Sequence, residues 1–301
     1  NFDRFHTNSE QLYKVVAHYQ DDNGEIQTNG EAIFEVMEEA ESTIPQVDKV
    51  TRYVTNWRWP SQQCFKLDPA DPCIYQFGMF VDSNFLELFD YAKGNSIENP
   101  LKNPKSLVLT QSLADKLFEN QDPVGQSYKI GGHLEVTITA VIDDAPSNSS
   151  FQFDYLASLD VFHTLRLGNT IVNKWIKDKS YSTYVKLNSN DKTQVVESIN
   201  SLETKKKYSS SKYDLQPMVD QHLYPDFKDG EAVAGLGVYI DMFGLFALFI
   251  LAICIINFVN LSTSRATLRS KEIGVRKVTG ASRTMLFAQF MVESFWPVVV
   301  A

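Results

Sequence analysis

The sequence predicts an α+β external domain, built as two strand-helix-strand units flanking a β-rich insertion and followed by transmembrane α-helices. Three observations carry this reading: one long apolar run late in the chain, a division of charge on either side of it, and strand and helix periodicities before it. The run is Met242 to Val259, MFGLFALFILAICIINFV, in which twelve of the eighteen residues are Leu, Ile, Phe or Val and only Asn257 is strongly polar. A helix of this length covers roughly 27 Å, close to the ~30 Å hydrocarbon core of a bilayer. Those twelve side chains favour insertion by about 4–7 kcal/mol in total, which outweighs one Asn near the end. A buried core helix rarely stays apolar on every side over this length. The run also sits late and is followed by its basic cluster, the reverse of a signal peptide.

The formal net charge of −9 conceals a division. Up to Asp241 there are 22 Lys+Arg against 35 Asp+Glu, a balance of −13, whereas Ser262 to Ala301 holds six basic residues against Glu272 and Glu293, a balance of +4. The six, Arg265, Arg269, Lys271, Arg276, Lys277 and Arg283, follow the apolar run directly, and the stretch DGEAVAGLGVYID before it has neither Lys nor Arg. The positive-inside rule therefore places the C-terminal side in the cytoplasm and residues 1 to about 236 outside, in a periplasm-like space for a bacterium. A chain that starts outside must already have crossed the membrane, so the sequence reads as a fragment whose first span lies upstream. Met285 to Ala301 turns apolar again and reads as the first turns of another span.

Within the external region the elements follow in order. QLYKVVAHYQ alternates as a strand and runs through DDNGE, a turn signal, into IQTNG. EAIFEVMEEAES has Ile33, Phe34, Met37 and Ala40 at helical core spacing, and VDKVTRYVT is again a strand. Near the far end the order repeats: YSTYVKLNS as strand, DKTQVVESINSLETKKK as a helix capped by Asp191 with Val195, Ile199 and Leu202 on one face, and YDLQPMVD as strand. Between the two units, SLVLTQSLADKLFEN reads as a short strand feeding a helix. QSYKIGGHLEVTITAVIDDAP reads as a hairpin turning at Gly131-Gly132. No solenoid period is present.

Enzyme chemistry is missing. His6, His18, His133, His163 and His222 form no i, i+4 pair and no HExxH frame, so surface or strand positions are expected for them rather than a metal site. Ser209 to Lys212 fits SxxK without its companion motifs. Asp143-Asp144, ahead of Pro146, is expected to form a turn rather than a carboxylate pair. There is no phosphate-cradling GxxxxGK[ST]. Lys205 to Lys207 complements a helix C-terminus in an acidic domain, which argues against nucleic acid. Cys64 and Cys73 fall on the side placed outside the cytoplasm, where disulfides persist, and a bridge between them is expected over two free thiols. Cys254, within the span, is expected to pack as a small apolar residue.

A plain anchor needs only a few basic residues after its span, yet STSRATLRSKEIGVRKV is a helix former apart from Gly274, with Leu268, Ile273, Val275 and Val278 as apolar points. Gly280 supplies a C-cap and Ser282 an N-cap for the next apolar helix. The segment is a short helical elbow between two spans, suited to passing movement to a cytoplasmic partner.

The stretch NFVNLSTSRATLRSKEIGVRKVTGASRTMLFAQFMVES resembles the second span and following loop of FtsX-like ABC transporter permeases. The match rests on Arg269, Glu272, Ile273, Gly274, Arg276, Lys277, Gly280 and Ala281. The external region resembles the MacB-type periplasmic core domain through FDRFHTNSEQLYKVV, LADKLFENQDPVGQSYKI and VIDDAPSNSSFQFDYLAS, with Glu119-Asn120 standing where a Gly commonly follows the Phe.

The resemblance implies a permease in the bacterial inner membrane that is not itself an enzyme and uses no cofactor. Its partners would be a cytoplasmic ABC ATPase, a second permease protomer in a homo- or heterodimer, the lipid bilayer, and a periplasmic adaptor or substrate. The ATPase would be met by Arg269, Lys271, Glu272, Ile273, Gly274, Arg276, Lys277, Gly280 and Ala281. The divisions that follow are 1–236 as the periplasmic core domain, with about 62–175 as its inserted β-rich part, 237–263 as a transmembrane helix, 264–283 as the coupling loop and 284–301 as the start of a further transmembrane helix. The rival readings are a membrane-anchored sensor and, within the same family, a regulator of cell-wall hydrolases. Export, efflux and lipoprotein or peptide handling stay undivided at this point.

Overall fold

The structure, a computed structural model, describes residues 2–55, 63–65, 74–91, 99–119, 121–130, 134–166, 180–188, 191–206, 211–228, 230–233, 235–268, 270–282, 284–289 and 291–292. They fall into two compact units, Asn1–Leu236 and Gly237–Ala301.

In the first unit β1 (Leu12–Gln20) turns into β2 (Ile26–Asn29) where the sequence signals it. Asp21 closes that turn, its Oδ1 accepting the backbone N–H groups of Asn23 and Glu25 at 2.9 Å each. β3 (Ala32–Ile33) leads into α1 (Phe34–Thr43), which buries Val36, Met37 and Ala40, and β4 (Val47–Thr55) follows. Then come β5 (Gln63–Phe65) and β6 (Ile74–Gln76), paired with each other, β7 (Gly78–Val81) and α2 (Phe85–Leu88). β8 (Ser106–Thr110) feeds α3 (Gln111–Phe118), and β9 (Ser127–Ile130) pairs antiparallel with β10 (Leu134–Ile142). Gly131 and Gly132, the expected turn, lie outside the described residues.

β11 (Tyr155–Ser158) runs into α4 (Leu159–Arg166). The closing unit is β12 (Ser180–Leu187), α5 (Lys192–Lys206) and β13 (Lys212–Pro217), with Asp191 Oδ1 accepting the Gln194 N–H at 3.2 Å as an N-cap. A 3-10 turn at Met218–Asp220 precedes a ribbon of β14 (Asp226–Lys228) and β15 (Glu231–Val233).

Eleven of the described strands make one sheet in the order β13-β1-β12-β4-β7-β11-β8-β10-β9, with β2 on β1 and β3 on β12. The two flanking units supply β13, β1, β12 and β4, and the middle stretch extends the same sheet from β7 to β9. Alternation then decides the layers. On one face, Val15, Val50 and Val185 pack under α1 and α5, and Leu107, Leu109, Ile138 and Tyr155 pack under α3 and α4. On the other, Leu12, Tyr53, Val108, Leu156 and Tyr184 meet an aromatic layer of Phe85, Phe89, Tyr91, Phe151 and Phe153.

Glu119 occupies the left-handed C-cap of α3 at φ 46°, ψ 47°. That conformation is the physical reason for a Gly in this position of the family pattern: without a Cβ it is reached at no steric cost.

In the second unit α6 (Leu236–Leu268) contains a candidate span, Gly237–Leu261, with mean hydropathy 2.7 over its most apolar window. Its 33 residues rise about 50 Å, longer than a ~30 Å hydrocarbon core. The helix therefore passes the last apolar residues of the span and continues past the first basic residue, Arg265. α7 (Ser270–Val278) and helical residues 284–289 follow.

Candidate coupling elbow

The elbow is built from the C-terminus of α7. Gly280 sits at φ 99°, a left-handed position that favours glycine, and around it the backbone closes both bonds of a Schellman motif. The Gly280 N–H donates to the Lys277 carbonyl at 3.3 Å, and the Ala281 N–H to the Arg276 carbonyl at 3.0 Å. Thr279 adds its hydroxyl, which donates to the carbonyls of Arg276 (2.9 Å) and Val275 (3.2 Å). Two residues on, Ser282 Oγ accepts the Met285 N–H at 3.3 Å and starts the next helix. Arg276 Nη1 then donates to Gln289 Oε1 at 3.0 Å, tying α7 to that helix across the turn. The C-cap and N-cap read from Gly280 and Ser282 are both present, and the result is a turn fixed by hydrogen bonds on both sides.

Of the residues expected to meet a partner, Lys271, Gly274, Lys277 and Gly280 are exposed and Ile273, Arg276 and Ala281 are half-buried. Arg269 and the Glu272 side chain lie outside the described residues, as do Cys73 and the Cys64 side chain. Val275 and Val278 are 65% and 89% exposed, so apolar side chains stand beside the cations. Gly274 is unusual: a Cβ built there meets nothing within 4 Å, and its φ is not in the left-handed region. Neither packing nor backbone geometry among the described residues requires glycine in mid-helix, where it costs about 0.5–1 kcal/mol against Ala.

In the external unit the structure brings together a group of residues that sequence reasoning missed. Asp3 is fully buried at φ 55°; its carboxylate accepts the Ser150 N–H at 2.7 Å and the Ser150 hydroxyl. His6, 1% exposed, accepts the Asp90 N–H on Nδ1 at 2.9 Å, while the Asp90 carboxylate accepts the Thr7 N–H at 2.6 Å. The His6 ring packs on Phe5, Phe89 and Tyr91 at centroid distances of 4.0, 5.4 and 5.3 Å. Burial pulls its pKa down to about 4, against the opposing pull of Asp3 and Asp90. A surface or strand position was expected for His6; Phe89 and Tyr91, which cover it together with the adjacent Phe5, lie more than 80 positions away, and no local pattern reveals that contact. No cluster of metal-ligating side chains occurs among the described residues.

The family model for the MacB-like periplasmic core domain matches residues 1–202, and that for the FtsX-like permease C-terminal region matches residues 244–301. The chain belongs to the MacB-like, FtsX-like family of ABC transporter permeases, which are not themselves enzymes.

Among solved structures, a permease-protein domain from Porphyromonas gingivalis aligns at TM-score 0.54 and 19% identity, covering 70% of this chain and 91% of its own, and so shares the fold of the external unit. The extracellular domain of the noncanonic ABC-type transporter YknZ from Gram-positive bacteria aligns at TM-score 0.47 and 13% identity over 68% of this chain and 99% of its own. The periplasmic region of MacB from Actinobacillus actinomycetemcomitans aligns at TM-score 0.47 and 12% identity over 73% and 95%. No curated protein matches the chain in sequence.

Proposed function

We propose that the chain is the permease through which a cytoplasmic ATPase moves the external domain, with α7 and the capped turn after it as the docking element. The observation that carries this reading is Gly274, an exposed mid-helix glycine that nothing described in its own chain requires. A partner backbone approaching closely would require it. Around it, Lys271 and Lys277 offer charge, Val275 offers apolar surface, and the Schellman turn with the Arg276–Gln289 bond makes the elbow stiff enough to transmit a push. The external unit lies in the periplasm, the span in the inner membrane, and the permease works as a dimer.

Reversing Arg276 and Lys277 to Glu is expected to weaken co-purification of the ATPase by about 2 kcal/mol or more, since it removes the tie to Gln289 and inverts the docking charge. The same change lowers the positive-inside signal, so topology is read in parallel. A cysteine placed at Ser270 stays unlabelled by a membrane-impermeant reagent in intact cells if the elbow is cytoplasmic. Labelling of that cysteine in the otherwise unchanged protein contradicts the reading.

A further inference from the structure

An open groove of about 560 Å³ lies between the end of α1 and one side of α5, on the helix-covered face of the sheet. Its volume falls within the ~300–1,000 Å³ range of ligand sites. Thr43 ends α1 in one wall, and Ile44, Pro45 and Gln46 continue that wall towards β4. The other wall is Gln194, Glu197, Ser198, Ser201 and Leu202, which recur at helical spacing and therefore share one face of α5. The Gln46 amide spans the two walls, its Nε2 reaching Gln194 Oε1 at 3.5 Å.

The groove carries one sign of charge. α1 has no basic residue in its last turn, so nothing in that turn answers the negative end of its dipole. Glu197 is exposed in the opposite wall, and no hydrogen bond or ion pair engages it among the described residues. None of the described lining residues is basic. Lys192 on α5 and Lys186 on β12 are held by Asp214 and Asp48 at 3.0 and 2.8 Å. The hydroxyls of Thr43 and Ser198 donate to carbonyls of their own helices, those of Glu39 and Gln194. The chemistry left to a ligand is therefore a carboxylate and a helix C-terminus beside the apolar surface of Ile44, Pro45 and Leu202.

We infer that this groove docks an arginine- or lysine-bearing segment of a partner protein on the external side of the membrane, the cation against Glu197 and the α1 C-terminus and its stem along Pro45 and Leu202. Long basic side chains supply that combination, a charged head on an apolar stem. Guanidinium matches it best, because its planar fork meets a carboxylate through two parallel N–H bonds. The balance of −13 up to Asp241 draws a basic segment in from a distance, and the groove fixes where it lands. The site shares no residue with the elbow, and the inference stands without ATPase docking.

The test is a fluorescence anisotropy titration of the chain, held in phosphatidylcholine nanodiscs, with a labelled acetyl-Gly-Arg-Leu-Arg-Gly amide. Saturable binding at one site per chain is expected, and none for the peptide with both arginines replaced by glutamine. Glu197→Gln is expected to weaken binding about fivefold, the upper end for an exposed charge pair. Glu119→Gln removes the same charge at the end of α3 and is expected to leave binding unchanged. Ser201→Arg is the stronger test. One turn after Glu197 on the same face, the new guanidinium pairs with that carboxylate, supports α5 and fills the groove, so binding is expected to be lost. Agmatine, a guanidinium on a short stem with no peptide backbone, is expected to compete more weakly than the peptide. In variants that melt like the parent, equal losses in Glu197→Gln and Glu119→Gln, or full binding by Ser201→Arg, overturn the inference. So does the absence of a saturable component, or agmatine competing as strongly as the peptide, which would make the occupant a small cation.

Discussion

Gly78→Ala is expected to destabilise the external unit by about 3 kcal/mol, at the upper end of the range for forcing atoms into a packed core. Gly78 opens β7 and is the parallel neighbour of Tyr155 on β11, both on the face covered by helices. A Cβ at Gly78 would lie 2.2, 2.3 and 2.4 Å from Cζ, Cε2 and Cε1 of the Tyr155 ring, far inside contact distance. The ring cannot step aside, because Tyr155 is fully buried among Leu107, Leu109 and Val161. Denaturant unfolding of Gly78→Ala, Tyr155→Leu and the double variant checks the origin of the effect. If the clash is the cause, the double variant is markedly more stable than the sum of the two single losses allows. A loss below about 1 kcal/mol in Gly78→Ala would show that the sheet relaxes around the added methyl.

Acidification is expected to loosen the N-terminal segment through His6. Its folded pKa of about 4 lies below the ordinary value of 6.5, so the unfolded chain takes up the proton first. The stability that His6 contributes is therefore complete above about pH 6.5 and is lost as the pH falls towards 4, by up to about 3 kcal/mol. The structural event is explicit: a proton on Nδ1 would set an N–H against the Asp90 N–H that now donates to it. His6→Asn keeps an acceptor near that position and removes the titration. Unfolding free energies of the two proteins, compared between about pH 7 and about pH 4.5, are expected to converge as the acid side is reached. Parallel curves would contradict the assignment.

Much of the frame was legible because it rests on local periodicity. α1 and α5 each bury one face, so their apolar residues recur at spacings of three to four, and Met37, Ala40, Val195 and Ile199 are fully buried as their spacing requires; β1, β4 and β12 bury residues on both faces, but their β-branched and aromatic runs bounded by turn residues still marked them as strands. β7, α2, β11 and α4 gave no such signal. The strands GMFV and YLAS are buried at every position, and a strand covered on both faces loses the alternation that marks it.

At the elbow the turn chemistry was visible, since Gly280 and Ser282 cap through their own backbone and hydroxyl. The Arg276–Gln289 bond was not, because it depends on how two helices meet across the turn. The groups around Asp3 and His6 and the groove between α1 and α5 join residues about 80 to 150 positions apart, a distance over which neither charge nor hydropathy patterning carries information.

The central claim is that α7 docks on an ATPase through a surface that needs Gly274. The most direct measurement is ATP hydrolysis by the co-purified complex with Gly274→Ala and Gly274→Leu, two substitutions that leave the Lys/Arg count unchanged and raise the intrinsic helix propensity of α7. Since a Cβ at this exposed position meets nothing described in its own chain, insertion and thermal stability of Gly274→Ala should match or exceed the parent, and those of Gly274→Leu are read beside it. If the glycine admits a partner backbone, the larger side chain costs the interface about 1–3 kcal/mol, and stimulated hydrolysis and co-purification fall about 5- to 150-fold for Leu, with a smaller loss for Ala. Full stimulation and full co-purification with Gly274→Leu would contradict the account and leave the basic elbow as a signal for membrane orientation alone.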